Sequence, residues 1–174
     1  MTKQKGGAIV DLGNVIIAHW LSNITPENFL TIDYNSIPEA PGVFDVLKRL
    51  NDKFGGNVTV VYNSTGIATE KILTWLSSHR FTERTGIPFE RVHRTVKGRD
   101  KTPHLEQSSR THYGTTMVVD DRLEVLSHFV EKVPNLFLFR PQREEVEKFK
   151  HTGALSHVRV VKTWQEIEDL LSAL

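Results

Sequence analysis

Short apolar runs of strand length alternate with helically spaced apolar residues along the whole chain, and this alternation constrains the fold more than any single motif. The first run, AIVDL at 8–12, is continuous, as a strand buried on both faces requires. GGNVTVVY at 55–62 is rich in β-branched residues and bounded by glycines. TTMVVDD at 115–121 and NLFLF at 135–139 read as strands, ERVHRTV at 90–96 as a weaker one, and VRVV at 158–161 as a last candidate. Helical patterns lie between them. PEAPGVFDVLKRLNDKF at 38–54 puts Val43, Val46, Leu47 and Leu50 on one face, with prolines at its start. TEKILTWLSSH at 69–79 does the same with Ile72, Trp75 and Leu76. TPHLEQSSRTH at 102–112 opens on Thr102 as a cap and Pro103 at the first helical position. LEVLSHFVEKV at 123–133, the polar PQREEVEKFK at 141–150 and TWQEIEDLLSAL at 163–174 complete the helices.

This order predicts an α/β fold: one Rossmann-like, three-layer α/β/α domain over 1–174, with a mostly parallel sheet and helices on both faces. In such a sheet the site lies beyond the C-terminal ends of the strands, where the strand order reverses. The bulk numbers agree. A chain of 174 residues, 39% hydrophobic, suits one domain with one sizeable core. A formal net charge of +1 creates no global field for a polyanion. The absence of cysteine excludes disulfides, thiolate zinc sites and thiol catalysis, and is compatible with a reducing cytoplasm. The basic MTKQKGG is followed by an apolar stretch that Asp11 and Asn14 interrupt, which is neither a signal peptide nor a membrane span. The expectation is a cytoplasmic protein with no membrane partner.

Each strand end can be read for chemistry. The first ends at Asp11; the second runs into Asn63, Ser64 and Thr65; Lys101 precedes the middle helical pattern; the strand at 115–121 ends in Asp120 and Asp121. A carboxylate, hydroxyls, an ammonium and an acid pair at one sheet edge suit phosphoryl transfer through an aspartate. One carboxylate attacks phosphorus, the acids hold Mg2+, and the hydroxyl, backbone N–H groups and lysine neutralise the phosphoryl oxygens. Each group also has an ordinary use. A strand-end aspartate or NST caps a turn or helix, a lone lysine is solvated, and an acid pair favours the next helix dipole. The ordered set of four is much more specific than any member.

IVDLGNV, VVYNST, the lysine of GRDKTP and VVDDR, in that order, resemble the four motifs of the haloacid dehalogenase superfamily of phosphohydrolases, over roughly residues 7–140. Within it, APGVFDVLKRLND, VTVVYNST, RDKT and VVDDR are similar to the 5′(3′)-deoxyribonucleotidases. VVDDRLEVL also resembles the phosphatase half of polynucleotide kinase-phosphatases. The resemblance implies Asp11 as nucleophile and Mg2+ held by Asp11, the Gly13 carbonyl and Asp121, with Asp120 supporting. It implies Ser64 and Thr65 on the phosphoryl group and Lys101 balancing charge.

The chain departs from the pattern at Gly13. There the resemblance implies an acid whose carbonyl binds metal and whose carboxyl protonates the leaving oxygen and later activates water. Glycine keeps the first task and loses the second, and general acid–base catalysis is worth ~10²–10⁴-fold, about 3–5 kcal/mol of barrier. Three readings stand: a phosphatase for good leaving groups or with a substitute acid, a dehalogenase-like hydrolase without metal, and a phosphate-binding or protein-interaction module with impaired turnover. Asn14 and His19 are candidate substitutes, although a lone histidine beside Trp20 also reads as a packing residue.

The segment at about 16–40, where superfamily members carry a cap domain, is too short for a helical bundle. The cap is expected to be minimal or absent and the site open or roofed by a partner subunit, with the oligomeric state undetermined. The substrate expected is a small-molecule or macromolecular phosphate ester, with nucleotides favoured by the resemblance and a polynucleotide end as an alternative. Arg91, Arg94, Lys97, Arg99 and Lys101 around the third motif read either as a basic rim for nucleic acid or as a solvated loop.

Overall fold

Apolar side chains on both faces of the central strands force a layer of helices onto each side of the sheet. The computed structural model describes residues 6–64, 66–95, 101–104 and 114–174. The described strands are β1 (Gly7–Val10), β2 (Val58–Tyr62), β3 (Val92–Arg94), β4 (Thr115–Asp120), β5 (Asn135–Phe139) and β6 (Arg159–Val161). The described helices are α1 (Val43–Lys53), α2 (Ile67–Ser78), α3 (Phe81–Thr85), α4 (Leu123–Ser127), α5 (Arg143–Phe149) and α6 (Trp164–Ser172). The strands form one sheet in the order β3-β2-β1-β4-β5-β6, and every described pairing is parallel. The chain winds outward from β1 to β3, then crosses to β4 and winds the other way. The order therefore reverses between β1 and β4, which opens the crevice between their C-terminal ends.

Residue alternation along each strand sorts the core into two layers. Val10, Val60, Val119 and Phe137 pack with α1, α2, α3 and α6, through Leu47, Trp75, Phe81 and Trp164. Ile9, Val61, Val118 and Leu138 pack on the opposite side against Leu123 and Leu126 of α4, with Val146 and Phe149 of α5 beside them. The last helix starts on a capping box: the Thr163 side chain accepts from the Glu166 N–H, and the Glu166 carboxylate reaches back to the Thr163 N–H.

Residues 16–40 leave the sheet and return at one place. The Ala18 N–H donates to the Pro38 carbonyl (2.9 Å) and the Ala40 N–H to the Ile16 carbonyl (2.7 Å). Two buried indoles pin this segment to the helical layer. Trp75 Nε1 donates to the Ile37 carbonyl (2.8 Å), and Trp164 Nε1 to the Val15 carbonyl (2.9 Å).

Some elements differ from the sequence expectation. The helix expected at 123–133 stops at Ser127. Beyond it Glu131 takes φ +66°, and Pro134 disfavours helix in the residue before it. Helix α3 was not anticipated, because only Phe81 and Thr85 of its five residues are buried, too few for a readable period. The pattern at 102–112 begins as a 3-10 turn at Thr102–His104, and residues 105–112 lie outside the described residues. Among the described residues no helix is long and apolar enough to cross a membrane.

Candidate active site

β1 delivers Asp11 to the crevice. Its N–H donates to the Val119 carbonyl (2.9 Å), so the residue is still tied to β4 when the chain turns away. The turn is tight: the Leu12 carbonyl accepts from the N–H groups of Ile16 and Ile17 (2.8 and 2.9 Å), and Asn14 adopts φ +60°. Asparagine is among the few non-glycine residues that take this conformation readily. Asn14 Nδ2 then donates to Asp121 Oδ2 (3.3 Å), which joins the first strand end to the fourth.

Lys101 is 2% exposed and bridges two carboxylates: Nζ lies 2.5 Å from Asp11 Oδ1 and 2.7 Å from Asp120 Oδ2. The other oxygen of Asp120 accepts the Arg122 N–H at 3.0 Å. The first N–H groups of α4 are capped by the Glu145 carboxylate, which accepts from Leu123 and Glu124 at 2.9 Å each. Asp120 is thus committed to Lys101 and to its own turn, whereas Asp121, which lines the same cavity, accepts only from the Asn14 amide among the described hydrogen bonds.

Asp11, Asp120 and Asp121 each present an oxygen within 4.8 Å of the others. Burial would lower the Lys101 ammonium, but Asp11 and Asp120 outweigh it and hold the group above the usual lysine range. Burial raises Asp120; Lys101 opposes the rise and Asp11 adds to it. Burial, then the charges of Asp11 and Asp120, push Asp121 well above the usual carboxylate range. Three acids against one buried ammonium make the cluster electron-rich, and its donors are all oxygen. That donor set fits a hard divalent cation such as Mg2+.

A cavity of about 370 Å³ opens over this cluster, lined by Asp11, Gly13, His19, Ser64, Lys101 and Asp121 among others. Ser64, at the end of β2, shares a 2.8 Å hydrogen bond with the Thr69 hydroxyl in the first turn of α2. Thr65, the other expected phosphoryl-binding hydroxyl, lies outside the described residues, as do Lys97 and Arg99 of the basic stretch. Arg91 does not line the cavity; its Nε donates to the Val58 carbonyl and its Nη2 to the Thr59 hydroxyl, both at 3.0 Å.

The space beside Gly13 is taken. A β-carbon at this position would lie 3.2 Å from His19 Cε1 and 3.7 Å from Nδ1. The opposite ring nitrogen, Nε2, lies 2.9 Å from the Tyr34 hydroxyl. Burial lowers the His19 imidazole, with Asp11 opposing, and burial raises the Tyr34 phenol, with Asp11 adding. Tyr34, Phe29 and Arg122 also line the cavity. Sequence reading did not assign these three to the site: Phe29 and Tyr34 belong to no motif and enter through the fold of 16–40, and Arg122, although it closes VVDDR, enters through the turn after β4.

No protein-family model matches the chain, and no curated protein matches it. Several solved structures share its fold. A haloacid dehalogenase-like hydrolase from Burkholderia xenovorans superposes with a TM-score of 0.59 at 12% identity, covering 94% of this chain and 95% of its own. The D,D-heptose 1,7-bisphosphate phosphatase from Burkholderia thailandensis superposes with a TM-score of 0.54 at 19% identity, covering 97% of this chain and 99% of its own. The α/β architecture is shared with both over nearly the whole chain.

Proposed function

We propose that the protein is a phosphomonoester hydrolase of the haloacid dehalogenase superfamily, working through a phosphorylated Asp11. The observation that carries this reading is the Lys101 bridge between Asp11 and Asp120 at the reversal of strand order, with Asp121 beside it. The fold shared with a phosphatase and a dehalogenase-like hydrolase supports it.

Lys101 fixes one oxygen of Asp11 and leaves the other to attack phosphorus. The P–O bond to the leaving group breaks as the Asp11–phosphorus bond forms, and water then releases phosphate and restores the carboxylate. Ser64 hydrogen-bonds the phosphoryl oxygens. Mg2+, when bound by Asp11, Asp121 and the Gly13 carbonyl with Asp120 behind them, neutralises phosphoryl charge. The favoured substrate is a nucleotide or related phosphate ester, on the likeness of the motifs to nucleotidases. Phe29, half-buried in the cavity wall, is a compatible stacking surface for a base.

Phosphate release from an aryl phosphate tests the reading. The wild type is expected to turn over with Mg2+ and to stop with EDTA, and Asp11→Asn to fall to the no-enzyme background. Equal rates for wild type and Asp11→Asn would sink it. Gly13 favours a second reading, phosphate binding without turnover, which predicts thermal stabilisation by phosphate and no release.

A further inference from the structure

Hydrolysis of an acyl phosphate on Asp11 is accelerated by a base for the attacking water, and most groups in the cavity cannot serve. Asp11 itself carries the phosphoryl group. Asp120 is held by Lys101 and the Arg122 N–H. Asp121 accepts from Asn14 and belongs to the cation-binding cluster. Lys101 points its Nζ at two carboxylates and donates to both, and Tyr34 is occupied by His19. Ser64 and Arg122 are not bases near neutral pH. His19 is the one imidazole among the described residues that line this cavity.

Its placement suits the task. The Nδ1–Cε1 edge occupies the side of Gly13 toward which a β-carbon would point, and Nε2 is engaged by Tyr34. When Nε2–H donates to the Tyr34 oxygen, Nδ1 carries the free lone pair and is the nitrogen turned toward the residues that follow the nucleophile. The T-shaped contact of the two rings, with centroids 5.8 Å apart, and the Phe29–Tyr34 contact at 5.7 Å lock the pair.

We propose that His19 is the general base of the dephosphorylation step, standing where a side chain at position 13 would otherwise project, and that Tyr34 is its positioning residue. The inference rests on the phosphohydrolase reading. Water adds to phosphorus as Nδ1 takes its proton. The bond from phosphorus to Asp11 breaks, phosphate leaves, and the imidazolium returns its proton to solvent or to the next leaving oxygen.

The test is pre-steady-state and steady-state turnover of an aryl phosphate with Mg2+, in wild type, His19→Ala, Tyr34→Phe and Asp11→Asn. The aryl leaving group departs without an acid, so loss of His19 should slow only the second step. His19→Ala is expected to lower steady-state turnover by about 10²-fold or more. It should also give a burst of phenol near one equivalent per enzyme, accumulate acid-quenchable phosphoenzyme, and regain rate with added imidazole. Tyr34→Phe should slow turnover less, with the same accumulation. Unchanged turnover in His19→Ala, or slowing with neither burst nor imidazole rescue, overturns this inference while Asp11-dependent turnover in the wild type leaves the hydrolase reading standing. Absence of Asp11-dependent turnover overturns both.

Discussion

Lys101→Met is expected to cost about 3–5 kcal/mol of folding stability, the usual result of removing one partner from a buried ion pair. For a chain of this size that is a fall in Tm of roughly 6–20 °C. Methionine fills the same volume, so packing is nearly preserved and the loss is electrostatic. Asp120, 1% exposed, would retain only the Arg122 N–H among its described partners, and the Asp11 carboxylate would lose its 2.5 Å contact. Because the penalty is that of buried negative charge, it should shrink in acid, where Asp120 takes up a proton. Urea unfolding near pH 7.5 and pH 5 measures both effects. Lys101→Met/Asp120→Asn should recover part of the loss. A cost below about 1 kcal/mol near neutral pH would mean that the bridge contributes little. Turnover should fall sharply in the single variant, since the Asp11 carboxylate then loses the ammonium that fixes one of its oxygens.

Asp121→Asn should act in opposite directions on stability and activity. Burial and the neighbouring Asp11 and Asp120 raise the Asp121 carboxyl in the folded protein. A group raised on folding contributes stability below its unfolded pKa and loses it as pH rises toward its folded value. At neutral pH, without metal, the wild type therefore carries a penalty that asparagine removes, while an amide oxygen can still accept from Asn14. The variant should be more stable by about 0.5–2 kcal/mol near pH 7, and the gain should fade as pH falls toward the unfolded carboxyl value of 3.8 and vanish below it, where both states hold the proton. Mg2+ should reverse the order of the two proteins. At 100 times its Kd it would stabilise the wild type by about 2.7 kcal/mol and the variant far less. Loss of that metal stabilisation should slow turnover by about two to three orders of magnitude. Thermal melts with and without Mg2+ decide it. A less stable metal-free variant, or one that responds to Mg2+ like the wild type, would remove Asp121 from the metal set.

The sheet edge that carries the site was readable because strand patterns carry their own period and each ends in a polar residue, whereas the strand order and its reversal between β1 and β4 came only with the fold. Asp11, Ser64, Lys101 and the acid pair could be placed at one edge from the alternation alone. The division of labour within the pair was not readable. Both acids follow the same apolar run and both line the cavity, and only the fold turns Asp120 to Lys101 and Asp121 to Asn14. Nor was the use of Arg91, which lay in a basic stretch but clamps the β2 backbone. His19 was visible as a residue and ambiguous as a function. Its meaning depends on Tyr34, fifteen positions away across irregular chain, where no period relates one side chain to another. Helices α3 and α4 were misjudged for a related reason: five residues are fewer than two turns.

The closure of residues 16–40 on itself has an evolutionary consequence. Two backbone hydrogen bonds and two indole anchors hold the base of the segment, while its tip carries no part of β1. Chain added at the tip would incur mainly loop-closure entropy, about 0.6 kcal/mol per doubling of length. Selectivity for different substrates can thus be rewritten as an exchangeable cassette, without disturbing the strand that presents Asp11.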